Sequence, residues 1–303
     1  MNCLCCGKPL RSDDMEIGWH KNCIKRFFGT ARLPEIELDE KAIELLATES
    51  TNKGYTVPGV QKKLSLHSGY ILKPQVEDFE TLPEAEQLVM CMADAVGIST
   101  VPHALIMDNG SLAYITKRVD RIFNKDNVQM LAMEDFCQLD LRLTQDKYKG
   151  SYERCARIIN KYSSRKGLDM TELYIRLVFS FIVGNSDMHL KNFSLLETKE
   201  GSGTYLLSPA YDLLPVNVIL SEDEDEEEFA LMMNGKKMNI QRNDFLIFAD
   251  ECGIPHNSAI KMIAMLISKK DKLIEMCRNS LLPEYLKERF ITLMETRIKI
   301  LVN

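Results

Sequence analysis

Gly184-Asn185-Ser186-Asp187-Met188-His189-Leu190-Lys191-Asn192-Phe193 is the stretch on which the fold turns. It follows the apolar run Leu173 to Val183, so its polar residues belong to a loop held at the end of a buried helix. Asp187 and Asn192 are separated by four residues. A carboxylate and an amide at that spacing suit phosphoryl transfer. The carboxylate accepts the proton of an attacking hydroxyl, and the amide oxygen coordinates a magnesium ion on the phosphates. Lys191 lies between them and would offset charge on the moving phosphoryl group. Further along, Leu207-Ser208-Pro209-Ala210-Tyr211-Asp212-Leu213 places a second acid after a short strand, where another magnesium ligand is needed. Taken singly, each acid reads as readily as a capping or turn residue.

Working outward, the first half supplies the remaining parts. Gly54 to Lys63 is turn-rich and leads into a strand at Leu64–Leu66. A turn at Ser68-Gly69 returns the chain into Tyr70-Ile71-Leu72-Lys73, stopped by Pro74. Lys73 at a strand end suits the α- and β-phosphates, and Glu86 in the helix Glu84–Val96 suits an ion pair with it, ahead of Glu84. Backbone N–H groups of Gly54 to Lys63 would cover the phosphates, although the segment is neither a Walker motif nor Gly-x-Gly-x-x-Gly. Strands are expected at Thr100–Met107 and Ala113–Lys117, joined across Asp108-Asn109-Gly110. A helical pattern is also expected after Pro34. Beyond Asp120 helix-like periodicity covers 133–140, 151–163, 170–183, 242–251, 256–277 and 282–301. The expectation is an α+β, bilobal, protein-kinase-like fold. Its parts would be a Cys/His unit at 1–30, a β-rich N-lobe at 31–120 and a helical C-lobe at 121–303.

Seven stretches then resemble the HipA kinase family in order. They are Thr56 to Lys63, Ile71 to Pro74, Lys117 to Arg121, Met133 to Gln138, Gly184 to Ser194, Ser208 to Pro215 and Ala230 to Lys237. The resemblance implies ATP- and magnesium-dependent phosphorylation of a protein serine or threonine. It further implies an aminoacyl-tRNA synthetase as the class of target and a helix-turn-helix antitoxin as partner. Carried over by position, Pro58, Gly59, Val60, Gln61, Lys62 and Lys63 cover the phosphates and Lys73 contacts them. Lys117, Arg118 and Val119 line the adenine, and Asp120 approaches the ribose. Asp187 is the base, His189 and Asn192 flank the nucleotide, and Tyr211 and Asp212 close the metal side. Lys117-Arg118-Val119 departs from the family's Glu-Arg-Phe. Thr56 stands at the family's regulatory serine, where a phosphate dianion would draw the loop from the nucleotide. The family's first subdomain is replaced by the short Cys/His unit. That resembles the arrangement of shortened, HipT-like members, whose missing part can be a separate protein. Two other readings share the catalytic pattern: a silent binding module and a small-molecule kinase.

Cys3-x-x-Cys6 and His20-x-x-Cys23 have zinc-ligand spacing in both halves, with Cys5 as a spare thiol. The other five of the nine cysteines are scattered singly, which argues for reduced thiols and against a disulfide framework. A net charge of −6 disfavours direct nucleic-acid binding through phosphates. No apolar core of signal-peptide length follows Lys8, and the longest apolar stretch contains Arg176, so a soluble cytoplasmic protein is expected, with no membrane partner. The run Glu222 to Glu228 reads as a solvated acidic loop.

Overall fold

The computed structural model describes residues 1–34, 64–66, 69–76, 79, 81–108, 110–123, 128–220 and 227–303. Pro58 to Lys63, Thr56, the pattern after Pro34 and the first five acids of the Glu222 to Glu228 run lie outside the described residues. The chain forms two compact units, Met1–Cys91 with Val101–Val119, and Met92–Thr100 with Asp120–Asn303.

The first unit is built on a four-stranded antiparallel sheet in the order β1-β2-β4-β3. The strands are β1 (Leu64–Leu66), β2 (Tyr70–Lys73), β3 (His103–Asp108) and β4 (Ser111–Lys117). Alternation puts Leu72, Ala104, Ile106, Ala113 and Ile115 on the buried face, in one cluster with Trp19, Ile24 and Phe27 of the N-terminal segment. That segment carries helix α1 (Lys21–Phe28), which Gly29 ends at φ 76. The Leu105 N–H donates to the Leu4 carbonyl at 2.8 Å, so the Cys/His segment supplies a partner to the outer strand β3. Helix α2 (Leu82–Val96) follows β2 and stops at Gly97, φ 93. Its apolar positions Leu88, Val89, Met92 and Val96 are all buried, as their helical spacing requires.

The second unit contains a hairpin of β5 (Arg121–Phe123) and β6 (Val128–Met130), and a three-stranded sheet β7-β8-β9. The latter comprises β7 (Met133–Asp135), β8 (Ser194–Glu197) and β9 (Tyr205–Leu207). Its helices are α3 (Phe136–Leu139), α4 (Tyr152–Tyr162), α5 (Lys166–Val183), α6 (Val216–Ile219), α7 (Arg242–Glu251), α8 (His256–Ile267), α9 (Lys270–Arg278) and α10 (Glu284–Val302). Helix α5 is the axis of this unit, with every residue from Leu177 to Val183 buried and α4, α8 and α10 packed against it.

The structure corrects several sequence expectations. The 133–140 stretch is a strand followed by one helical turn, because Asp135 is an N-cap whose carboxylate accepts the Gln138 N–H while Gln138 accepts that of Asp135. The 256–277 pattern is two helices broken at Ser268 and Lys269. The β5–β6 hairpin and β8 were not foreseen. Strands this short carry too few alternations to register as a period.

Candidate active site

The loop Gly184 to Phe193 is launched by a Schellman motif. Gly184 takes φ 68, its N–H reaches the Phe181 carbonyl, and the Asn185 N–H reaches that of Ser180 at 2.8 Å. A side chain at 184 would meet Leu293 at 3.0 Å and Asn217 at 3.3 Å, so the turn needs glycine for space as well as for φ.

Past this turn the chain makes one 3₁₀ turn, Leu190–Asn192. Inside it the Asn192 amide nitrogen donates to the Asp187 carbonyl at 2.8 Å, and the Asn192 N–H donates to the His189 carbonyl at 2.9 Å. With the amide nitrogen committed, the amide oxygen is the side-chain atom of Asn192 left to accept a hydrogen bond or meet a cation. The Asp187 carboxylate accepts the Tyr148 hydroxyl on Oδ1 at 2.8 Å, and His189 Nε2 lies 3.9 Å from Oδ2. The Tyr148 and His189 rings meet edge to face at 5.1 Å. The loop is further pinned by the Tyr152 hydroxyl on the Met188 carbonyl at 3.0 Å and by the Leu190 N–H on the Lys147 carbonyl at 3.2 Å.

Lys191 is partly exposed. Its ammonium bonds the Asp135 carboxylate at 2.7 Å, which ties the loop to the cap of α3. Tyr211 bonds Ser194 Oγ at 2.5 Å and donates to the Lys191 carbonyl at 2.9 Å, so the Ala-Tyr-Asp segment is fastened to the Asp187 loop through its tyrosine. Burial pushes the Tyr211 phenol well above its ordinary range and keeps it a donor. Asp212 follows at φ 61, a left-handed conformation that aspartate tolerates better than most residues. Behind this segment the buried Arg176 donates to the Ser208 carbonyl at 2.7 Å and pairs with Glu172 at 3.0 Å. The Asp212 carboxylate and the Asn192 amide oxygen are hard donors of the kind magnesium takes, and their chemistry fits the ion that phosphoryl transfer requires.

In the first unit, Lys73 and Glu86 pair at 2.6 Å, with side-chain exposures of 4% and 0%. The lysine ammonium also lies 5.3 Å from the centre of the Tyr114 ring. Lys117 is the last residue of β4, and Arg118 and Val119 follow it directly. Lys117 is opposite Tyr70 in the sheet, and the Arg118 N–H donates to the Gly69 carbonyl at 2.9 Å. Asp120, in the second unit, is buried, bonds Arg121 at 2.5 Å and accepts the Leu131 N–H on its carbonyl.

The ligand atoms of Cys3, Cys6, His20 and Cys23 lie within 4.8 Å of one another, the one such cluster among the described residues. Burial raises the Cys3 thiol, but N–H groups of Cys6, His20 and Cys5 outweigh it, and the net shift is downward. Burial lifts Cys5 to about 12, and burial followed by the neighbouring thiolates pushes Cys23 up.

Sequence reasoning missed Tyr148. It overlooked the role of Asp135, although the Met133 to Gln138 stretch containing it stood out, and it noted Arg176 only as a charge within an apolar run. These partners lie 39, 56 and 32 residues from the atoms they hold, too far for spacing to reveal them.

Comparison with known proteins decides the lineage. A family model described as HipA-like C-terminal domain matches residues 55–274, well over half of the chain. The chain belongs to the HipA-like family. Among curated relatives of this HipA-like chain, a Haemophilus influenzae protein named "Putative kinase" is 24% identical over 91% of the chain and 90% of its own length. "Putative kinase Y4mE" of Sinorhizobium fredii is 30% identical over 61% of the chain, which matches only 44% of that longer protein. Among solved structures, one from the Shewanella oneidensis MR-1 toxin–antitoxin complex of HipA, HipB and operator DNA superposes with a TM-score of 0.70. It is 19% identical and covers 97% of this chain and 72% of the other. The Helicobacter pylori proinflammatory kinase CtkA gives a TM-score of 0.57 at 17% identity, covering 82% of this chain and 92% of CtkA. These likenesses establish a kinase-like fold. No helix among the described residues is long and apolar enough to cross a membrane.

Proposed function

We propose that this HipA-like chain is an ATP- and magnesium-dependent serine/threonine protein kinase, the toxin of a toxin–antitoxin pair. The observation that supports the proposal is the Asn192 amide on the Asp187 carbonyl, which holds these two residues in one turn. Asp187 takes the proton of a serine or threonine hydroxyl, and that oxygen forms the new bond to the γ-phosphorus as the bond to the ADP oxygen breaks. Tyr148 holds one oxygen of Asp187 in place, so the carboxylate is oriented before a substrate arrives. Asn192 and Asp212 hold the magnesium, which supplies charge neutralisation of the triphosphate. Lys73, aligned by Glu86, contacts the α- and β-phosphates, Pro58 to Lys63 cover them, and Lys117 to Val119 with Asp120 receive the nucleoside. Lys191 is a positioning residue, since Asp135 already neutralises it.

The substrate follows from the family as a translation protein, with an aminoacyl-tRNA synthetase as the first choice. A helix-turn-helix antitoxin as partner is supported by the HipA–HipB complex among the structural neighbours. The net charge of −6 favours a basic protein surface as partner over nucleic-acid phosphates. Thr56 is proposed as an autophosphorylation site. The test is γ-labelled ATP offered with purified synthetases, followed by peptide mapping. Label on a synthetase serine or threonine, or on Thr56, supports the reading. Label on a small hydroxyl compound alone would replace it with a small-molecule kinase, and no transfer at all would leave a binding module.

A further inference from the structure

Four potential ligands meet at the start of the chain, and the way they are held selects one chemistry. Cys6 Sγ and Cys23 Sγ lie 3.4 and 3.8 Å from His20 Nδ1. Tetrahedral zinc with bonds of about 2.0–2.3 Å would set its ligand atoms about 3.5–3.8 Å apart. The His20 ring is oriented by its other nitrogen, since Nε2 lies 3.0 Å from the Pro9 carbonyl and donates to it. This leaves Nδ1 as the lone-pair nitrogen facing the thiols, the outer-shell arrangement of metal-binding histidines. Cys3 Sγ accepts the His20 N–H at 3.4 Å, and the Cys3 carbonyl accepts the Gly7 N–H at 2.9 Å, with Gly7 at φ 67. Both halves of the site are thus preformed by backbone bonds.

The same segment grips helix α2. Gln87 Nε2 donates to the Cys5 carbonyl at 2.8 Å, and Gln87 Oε1 accepts from His103 Nδ1 at 2.8 Å. Gln87 is buried and adjoins Glu86, whose carboxylate holds Lys73. Cys5 lies between Cys3 and Cys6, so the carbonyl that anchors α2 belongs to the backbone the ligands fix.

We propose that Cys3, Cys6, His20 and Cys23 bind one structural zinc ion, and that through Cys5 and Gln87 this ion fixes the first turns of α2 and with them Glu86. All four ligand positions come from the protein, so the site is closed and takes no substrate. That Glu86 serves nucleotide binding rests on the kinase reading, whereas the ion and the Gln87 tether do not.

The full chain, purified without chelator, is analysed for zinc and iron by elemental mass spectrometry. About one equivalent of zinc is expected, released by a mercurial and followed with a colorimetric zinc dye. Less than about a tenth of an equivalent of zinc, or iron in its place, would overturn the assignment. Amide hydrogen exchange over residues 82–91 is then compared between the zinc-loaded and zinc-stripped chain, with α4 as internal reference. Exchange is expected to quicken about tenfold on stripping, the scale of one lost buried hydrogen bond. Gln87→Ala, which leaves the ligands untouched, is expected to keep its zinc and show the same acceleration. Unchanged exchange in both cases would refute the tether, whatever the phosphotransfer assay shows.

Discussion

At the scale of single residues, the account rests on side chains whose neighbours make their chemistry specific. Gly184 is the clearest structural case. It sits at φ 68 with Leu293 and Asn217 occupying the space a methyl group would need. Gly184→Ala is expected to cost about 1–3 kcal/mol, from left-handed strain and displaced neighbours, and chemical denaturation followed by circular dichroism checks it. Asp187 and Asn192 were legible in the sequence because their relation is local, with four residues between them on one loop. What holds them was not. Tyr148 is 39 residues from Asp187, and Asp135 is 56 from Lys191. The bare spacing suggested that Lys191 was free to meet a phosphoryl group, but the Asp135 carboxylate already binds its ammonium at 2.7 Å.

At the scale of elements, two junctions carry predictions. Lys73 ends β2 and Glu86 lies in α2, and the pair is almost fully buried. Lys73→Met would strip the ammonium from a carboxylate with no exposure, at a cost of about 3–5 kcal/mol, whereas Lys73→Met with Glu86→Leu would recover most of it. Trp19, the chain's single tryptophan, is buried in the same unit, so its fluorescence in urea reports this difference. The second junction is the turn Asn234-Gly235, with φ of 50 and 76, where Met233 and Lys236 exchange backbone hydrogen bonds. This turn delivers Lys236 Nζ to Asp244 at 2.9 Å and the Asn234 amide to the Asp244 carbonyl, while Asp244 caps α7 by accepting the Gln241 N–H. The Ala230 to Lys237 stretch, recognisable by its wording alone, thus has a structural role at this helix start. Burial raises the Asp244 carboxyl, but Lys236, the Gln241 N–H and Asn234 pull it lower still, and the net shift is downward. A depressed carboxyl stabilises the fold fully above the ordinary aspartate value of about 3.9, and that stability is lost as pH falls through the folded value. Asp244→Asn is therefore expected to lower Tm at neutral pH, with the gap to the parent closing below about pH 4; thermal scans across that range check it. Among the elements, long helices were legible from their stripes. The three-residue strands β5, β6 and β7 were not, because they take their conformation from a partner strand and not from a period of their own.

At the scale of the whole molecule, the order of parts along the chain was the strongest sequence signal, and it came from position more than from any single motif. Membership of the HipA-like family and a kinase-like fold follow from the comparisons. The phosphotransfer assigned to Asp187 is the central claim. Its most direct test is transfer of γ-labelled phosphate from magnesium ATP to protein, comparing the parent chain with Asp187→Asn and Asp212→Asn. Asparagine keeps the shape of both sites and tolerates the left-handed backbone at 212, so both variants are expected to fold as the parent does. The account predicts magnesium-dependent labelling by the parent and a loss of about a hundredfold or more in each variant. Equal labelling by the parent and Asp187→Asn would contradict it.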